Sequence, residues 1–297
     1  MRTFIVFLLL FGVAALASGA LAYPAWWLVE RFADVPIHRV MERVGMLVLA
    51  AVTIIFLRRR GLANKSALGY AVPRKQFVQQ MLRGFTAGTI LMVPLAVALF
   101  ALQLRVWDTD FVAGTSPVLF FIGCVARGLL TGFAVAFIEE TFCRGAMFTA
   151  IERESGLAMA IVLPTLFYAA THFLGGKLRI PADQVTYASG LQVAADLFER
   201  FAHPAVFVDT FIALAALGVL LALIRWRTGT IAGCIGLHAG GVTVIQTLHG
   251  ISSGNPAAPM PYLVGHYDGV IGWLAAGWIA VVAAAYWRLS ATRSEFA

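Results

Sequence analysis

Two glutamates stand side by side at the end of an apolar run: Glu139 and Glu140 directly follow Phe133–Ile138. Arg144 comes four residues after Glu140, and His172 and His238 interrupt two later apolar stretches. Ionisable side chains in such stretches are costly to bury and default to functional hypotheses. Together, carboxylates and imidazoles can activate a water and stabilise the charge that develops when it attacks a carbonyl.

Each residue also has a plainer reading. Glu140 and Arg144 have the acid-first i,i+4 order that suits a helical ion pair, and such a pair could serve only to make burial tolerable. Glu139 differs. It sits about 100° around the helix from Glu140, and its own i+3 and i+4 neighbours, Phe142 and Cys143, offer no cation. A carboxylate without a local cation in a low-dielectric medium is suited to act as a general base near neutrality. His172 alone would read as a core histidine. Its position says more, because the charged, glycine-ended stretch Glu152–Gly156 predicts a tight turn between two antiparallel helices. Counted outward from the Ser155–Gly156 bond, Glu139 and His172 are equidistant, each about 25 Å along its helix. They should therefore share one depth and one water. His238 lies in Gly-Leu-His-Ala-Gly-Gly, where the small residues 239–241 could simply allow close helix packing.

The elements that must position these residues are membrane helices. Of the 297 residues 60% are hydrophobic and 12% charged, against roughly 25% charged in soluble chains. Apolar blocks of about the length needed to cross a bilayer fall at about 4–25, 44–57, 84–104, 118–141, 156–175, 205–224, 229–248 and 268–287. This predicts an all-α polytopic membrane protein of about eight transmembrane helices. It is a single domain over 1–297, with helices four, five and seven carrying the catalytic core within about 118–250. The first block is read as a retained helix, since it is longer than a signal h-region. The net charge of +7 reads as topology and not as a nucleic-acid surface, because most basic residues flank apolar blocks. The densest cluster is Arg58, Arg59, Arg60, Lys65, Arg74, Lys75 and Arg83. Placing it in the cytoplasm puts both termini inside, together with Arg153, Arg225, Arg227, Arg288 and Arg293. Arg31, Arg39, Arg43, Arg105, Lys177, Arg179 and Arg200 then lie outside. Residues 191–201 of the long external connection have the spacing of a surface helix. Cys124, Cys143 and Cys234 make no disulfide framework.

Taken together, Glu-Glu-x-x-x-Arg in the fourth helix, aromatic-x-x-x-His in the fifth and Gly-x-His-Ala-Gly in the seventh resemble the CAAX prenyl protease and bacteriocin-processing family. The resemblance implies an eight-helix intramembrane endopeptidase acting on a membrane-associated peptide or protein, near its C-terminus or leader. It implies catalytic roles for Glu139, Glu140, Arg144, His172 and His238. Tyr168 stands where the family has phenylalanine. Val242 stands where the family commonly has Asn or Asp, so Thr243, Gln246 or His238 alone must serve the oxyanion. No cofactor is required by this chemistry, although Glu139, His172 and His238 could hold a divalent metal such as zinc. Two other readings stand beside it: a catalytically weak or silent scaffold or immunity protein of the same fold, which Val242 suggests, and a proton-coupled transporter. The transporter lacks an inverted repeat or paired broken helices in this sequence. Arg127 is expected to face the bundle and pair with a carboxylate. Asp209, His38, His203 and His266 are expected to be solvated. A bacterial inner membrane is the expected location.

Overall fold

Hydrocarbon offers no partner for a peptide group, so an apolar chain that enters it must satisfy its backbone internally, as a helix. The computed structural model, which describes residues 1–108, 116–175 and 178–291, is built on that rule. Its helices are α1 (Arg2–Glu30), α2 (Ile37–Arg59), α3 (Arg74–Ala101), α4 (Pro117–Glu140), α5 (Phe148–Thr171), α6 (Ser189–Asp196), α7 (Val208–Thr228), α8 (Ala232–Ile251) and α9 (Trp273–Ala291). A π-helical turn, Thr141–Met147, joins α4 to α5.

Among the described residues five stretches are long and apolar enough to cross a membrane: α1, α2, α3, the continuous Pro117–Thr171 and α7. The fourth of these is two spans. Gly156 has φ 80° and ψ 176°, a left-sided backbone conformation that glycine adopts without penalty. The ring of Phe142 meets that of Phe167 at 5.7 Å, so the chain reverses at the turn expected around 152–156. The shorter apolar helix Trp273–Leu289 matches the eighth expected span. The seventh, α8, is diluted by glycines and two histidines, and packing explains its composition. It lies between α3 and α4 at backbone distance. A Cβ on Gly240 would strike the Phe85 carbonyl, and one on Gly132 of α4 would come within 2.6 Å of the Ala239 carbonyl. Gly241, also expected to aid packing, has open space around its Cβ position.

On the other flank α1 packs on α2, and the short α6 lies across both through Val193, at the place expected for a surface helix. A two-stranded antiparallel ribbon, Arg105–Trp107 with Ser252–Gly254, closes one end of the bundle and was not foreseen. Part of the basic set is brought together by three contacts. Thr149 donates to the Ala67 carbonyl at 2.6 Å, Met1 reaches Glu154, and Trp226 stacks on Trp287 at 5.7 Å. These contacts gather the 58–75 loop, Arg153, Arg225, Arg227 and Arg288 at one end. Lys177 and Arg293 lie outside the described residues.

Candidate active site

The site forms where three helices meet. α4 brings Glu139 and Glu140, the π turn brings Arg144, the end of α5 brings His172 and α8 brings His238. The expected matching of depth is met: Glu139 Oε2 lies 4.0 Å from His172 Nε2 and 3.9 Å from His238 Nε2. All five candidate residues are brought together.

Their hydrogen bonds set which atoms remain available. His172 Nδ1 donates to the Tyr168 carbonyl at 2.8 Å, so in the neutral ring Nε2, turned toward Glu139, carries the lone pair. His238 Nδ1 donates to Glu140 Oε1 at 2.8 Å. The same oxygen accepts Arg144 Nη1 at 3.2 Å, and Arg144 Nη2 donates to the Gly218 carbonyl at 3.3 Å. Glu139 Oε2 and Glu140 Oε2 are buried without a hydrogen-bond partner. Glu140 is fully buried and His238 3% exposed, whereas the side chains of Glu139 and His172 are 31% and 19% exposed. Glu139 and His172 form the accessible lip, and Glu140, Arg144 and His238 the floor.

Tyr168 lies at the centre of this arrangement. Its ring meets His172 edge-on at 4.7 Å and His238 at 5.9 Å, and the Arg144 guanidinium lies 4.5 Å from its centroid. Such an aromatic fixes imidazole orientation by packing and favours the cation over its face. The sequence offered only one signal for it, the aromatic four residues before His172.

Other expectations need correction. Arg127 is exposed on the outer face of α4 and contacts Cys124 Sγ at 3.4 Å, with no carboxylate pair among the described residues. Asp209 is buried, its Oδ1 accepting the Thr210 backbone N–H at 2.7 Å at the start of α7, so it is not solvated. His38 is likewise buried, within the α1–α2–α6 packing. His203 and His266 are exposed as expected. Of the two alternative oxyanion donors, Thr243 spends its hydroxyl hydrogen on the Ala239 carbonyl at 2.7 Å, and Gln246 is exposed.

The donor types of Glu139, His172 and His238 suit zinc, but their spacing does not. Ligands about 2.0–2.1 Å from a tetrahedral ion stand about 3.4 Å apart, less than the 4.0 and 3.9 Å found here. Among the described residues no group of three His, Cys, Asp or Glu side chains is set to hold a metal ion. The separations suit one water oxygen at about 2.8 Å from each atom.

Residues 121–244 match the model of a family described as Rce1-like, the type II CAAX prenyl endopeptidases. No curated protein and no solved structure matches the chain. The matched segment takes in all five candidate residues, Tyr168 and Val242, together with the π turn that separates Glu140 from α5. Outside it, α1 to α3 and α9 complete the membrane bundle.

Proposed function

We propose that this membrane protein hydrolyses a peptide bond near the C-terminus or leader of a membrane-associated substrate, with Glu139 as general base. The observation that carries the reading is Glu139 Oε2, buried without a hydrogen-bond partner and facing the Nε2 atoms of two histidines at 4.0 and 3.9 Å. A water shared by these atoms gives its proton to Glu139 while His172 Nε2 accepts its second hydrogen and orients a lone pair. The water oxygen bonds to the scissile carbonyl carbon, and the electron pair of the C=O moves onto oxygen. His238 Nε2–H donates to that oxyanion, a role that requires hydrogen on both ring nitrogens, with Nδ1–H on Glu140 Oε1. With His238 in that form, Glu139, Glu140, Arg144 and His238 carry no net charge, which makes the cluster tolerable away from water. Collapse breaks the C–N bond, and the proton held by Glu139 passes to the leaving amine. No step requires a metal.

Depth along the helices supports a site nearer the basic end. His238 is six residues, about 9 Å, from the start of α8. Gly218, against which Arg144 rests, is ten residues, about 15 Å, from the end of α7. We take the basic end as cytoplasmic, with both termini there, in a bacterial inner membrane.

The test compares membrane-protein termini in cells expressing the wild type and the Glu139→Gln variant. Cleaved termini present with the wild type and absent with the variant are the expected result. A proteolytic pattern that the substitution leaves intact defeats the reading. A flux of protons or solutes altered by the variant, with no terminus changed, would point to a transporter instead.

A further inference from the structure

A second buried arginine lies just behind the site. Arg225, in the last turn of α7, was read from the sequence only as an inside-positive charge, yet it is 7% exposed. Its Nε donates to the Arg144 carbonyl at 3.0 Å. Its Nη2 donates to Thr149 Oγ1 at 3.2 Å and to the Ala67 carbonyl at 3.5 Å, and its Nη1 to the Gly229 carbonyl. One planar guanidinium thus joins the π turn, the start of α5, the loop between α2 and α3 and the left-handed cap that ends α7.

The attachment point matters. A π turn leaves carbonyls outside the regular i→i−4 ladder, and the Arg144 carbonyl is taken up by Arg225. The Arg144 side chain leaves the same residue in the other direction, to Glu140 Oε1 and the Gly218 carbonyl. Gly218 and Arg225 are seven residues apart, about two turns, and so lie on one face of α7. That face grips Arg144 twice, at its backbone through Arg225 and at its guanidinium through Gly218. A Cβ on Gly218 would sit 3.3 Å from Arg144 Nη2, so the lower grip depends on glycine. The loop adds a third hold, Tyr70 Oη to Thr141 Oγ1 at 2.5 Å, at the first residue of the π turn.

We infer that Arg225 is a positioning residue for the hydrolytic site: by fixing the Arg144 carbonyl, it holds the Arg144–Glu140–His238 chain in the geometry that presents His238 Nε2 to the reacting carbonyl. The inference rests on the proposed function above. Lysine cannot replace it, because an ammonium is a point donor and cannot span acceptors on separate segments as a planar fork does.

The experiment uses full-length protein in nanodiscs, with turnover measured on a membrane substrate identified by the Glu139→Gln comparison. Arg225→Lys and Arg225→Gln are compared with wild type and with Arg227→Gln, a neighbour whose guanidinium lies over Trp226 at 3.9 Å. Rates are normalised to folded protein. A misplacement of about 1 Å at a reacting centre costs about 100-fold, so both Arg225 variants should lose about that much in kcat with little change in KM. Arg227→Gln should match wild type. In protein carrying 15N-histidine, the His238 Nδ1–H resonance, assigned by its disappearance in His238→Gln, should be lost or broadened in both Arg225 variants. If Arg225→Gln fails to fold, Arg225→Lys decides. A normalised kcat within twofold of wild type, or an unchanged Nδ1–H resonance, overturns the inference. If wild type and Glu139→Gln cleave alike, the functional reading fails by itself, and the positioning claim is then judged on the resonance.

Discussion

Arg144 in the basic half of the bundle and Arg105 at the opposite end are both buried guanidinium groups, and their surroundings differ in one respect. Around Arg105 the polar groups are used up. Its Nε donates to Ser252 Oγ at 2.9 Å, its Nη1 to the Gly269 carbonyl at 3.2 Å and its Nη2 to the Ser252 carbonyl. Ser252 in turn donates to the Leu248 carbonyl at 2.6 Å. Nearby, Asp268 Oδ1 accepts the backbone N–H groups of Val270 at 2.9 Å and Ile271 at 2.7 Å. Around Arg144, by contrast, two carboxylate oxygens, Glu139 Oε2 and Glu140 Oε2, are buried with no hydrogen-bond partner. Leaving such groups unsatisfied costs about 1–3 kcal/mol each, and more when they are charged. A cluster that serves only stability closes its hydrogen bonds, as the Arg105 cluster does. One that serves chemistry keeps lone pairs uncommitted for the reacting molecule.

The largest expected effect tests that contrast at its sharpest point. Glu139→Gln removes the uncommitted carboxylate while keeping its shape, so turnover should fall by about 10⁴-fold. Thermal stability should change little, because the side chain keeps its shape and is 31% exposed. Activity and melting temperature measured on one preparation check both halves. A smaller effect of opposite sign is expected at Val242, half-buried one turn beyond His238 on α8. With Thr243 committed to Ala239 and Gln246 exposed, His238 is the donor left for the oxyanion. Val242→Asn adds a second donor on that face and should raise kcat about tenfold, within the 10²–10³ that an oxyanion donor can contribute. A variant no faster than wild type would mean that the carbonyl oxygen does not sit near residue 242.

The parts of the site legible in the sequence were those fixed by counting along a helix. The turn near Gly156 could be seen in Glu152–Gly156, and from it the common depth of Glu139 and His172 followed by arithmetic. The Glu140–Arg144 pair followed from a four-residue spacing. What could not be read was set by how helices rotate and cross. The hydrogen bond from His238 to Glu140 depends on α8 lying between α3 and α4 at glycine-to-backbone distance. The π turn places Arg144 against α7, and nothing in Thr141–Met147 marks it. Asp209 and His38 looked solvated because they stand near the ends of apolar blocks, yet α6 and the 252–272 segment fold over those ends and cover them. Arg127 was misread for the converse reason: its depth along α4 was right, but the face it occupies points outward.

At the Arg105 end the expected effects move from activity to stability. Arg105→Ala leaves Ser252 Oγ and the Ser252 and Gly269 carbonyls without their donor, so it should cost about 1–3 kcal/mol. The melting temperature should drop while kcat per folded molecule stays at the wild-type value. A loss of kcat matching that of the site variants would show that the two clusters are not independent.

The finest distinction lies in Asp268, where burial outweighs the two backbone N–H bonds and the charges of His249 and Arg105, and raises the carboxyl above its ordinary range. A group whose folded pKa is raised favours the folded state in its protonated form. That contribution is full below the unfolded value of about 3.9 and is lost as pH rises through the folded one. Asp268→Asn keeps an acceptor for Val270 and Ile271 and cannot ionise. The melting temperature of this variant minus that of wild type should therefore grow as pH rises through the carboxylate range, and level off above it. A difference that is flat with pH would mean that Asp268 is as well solvated folded as unfolded. The closed character assigned to this end of the molecule would then fail at this acid.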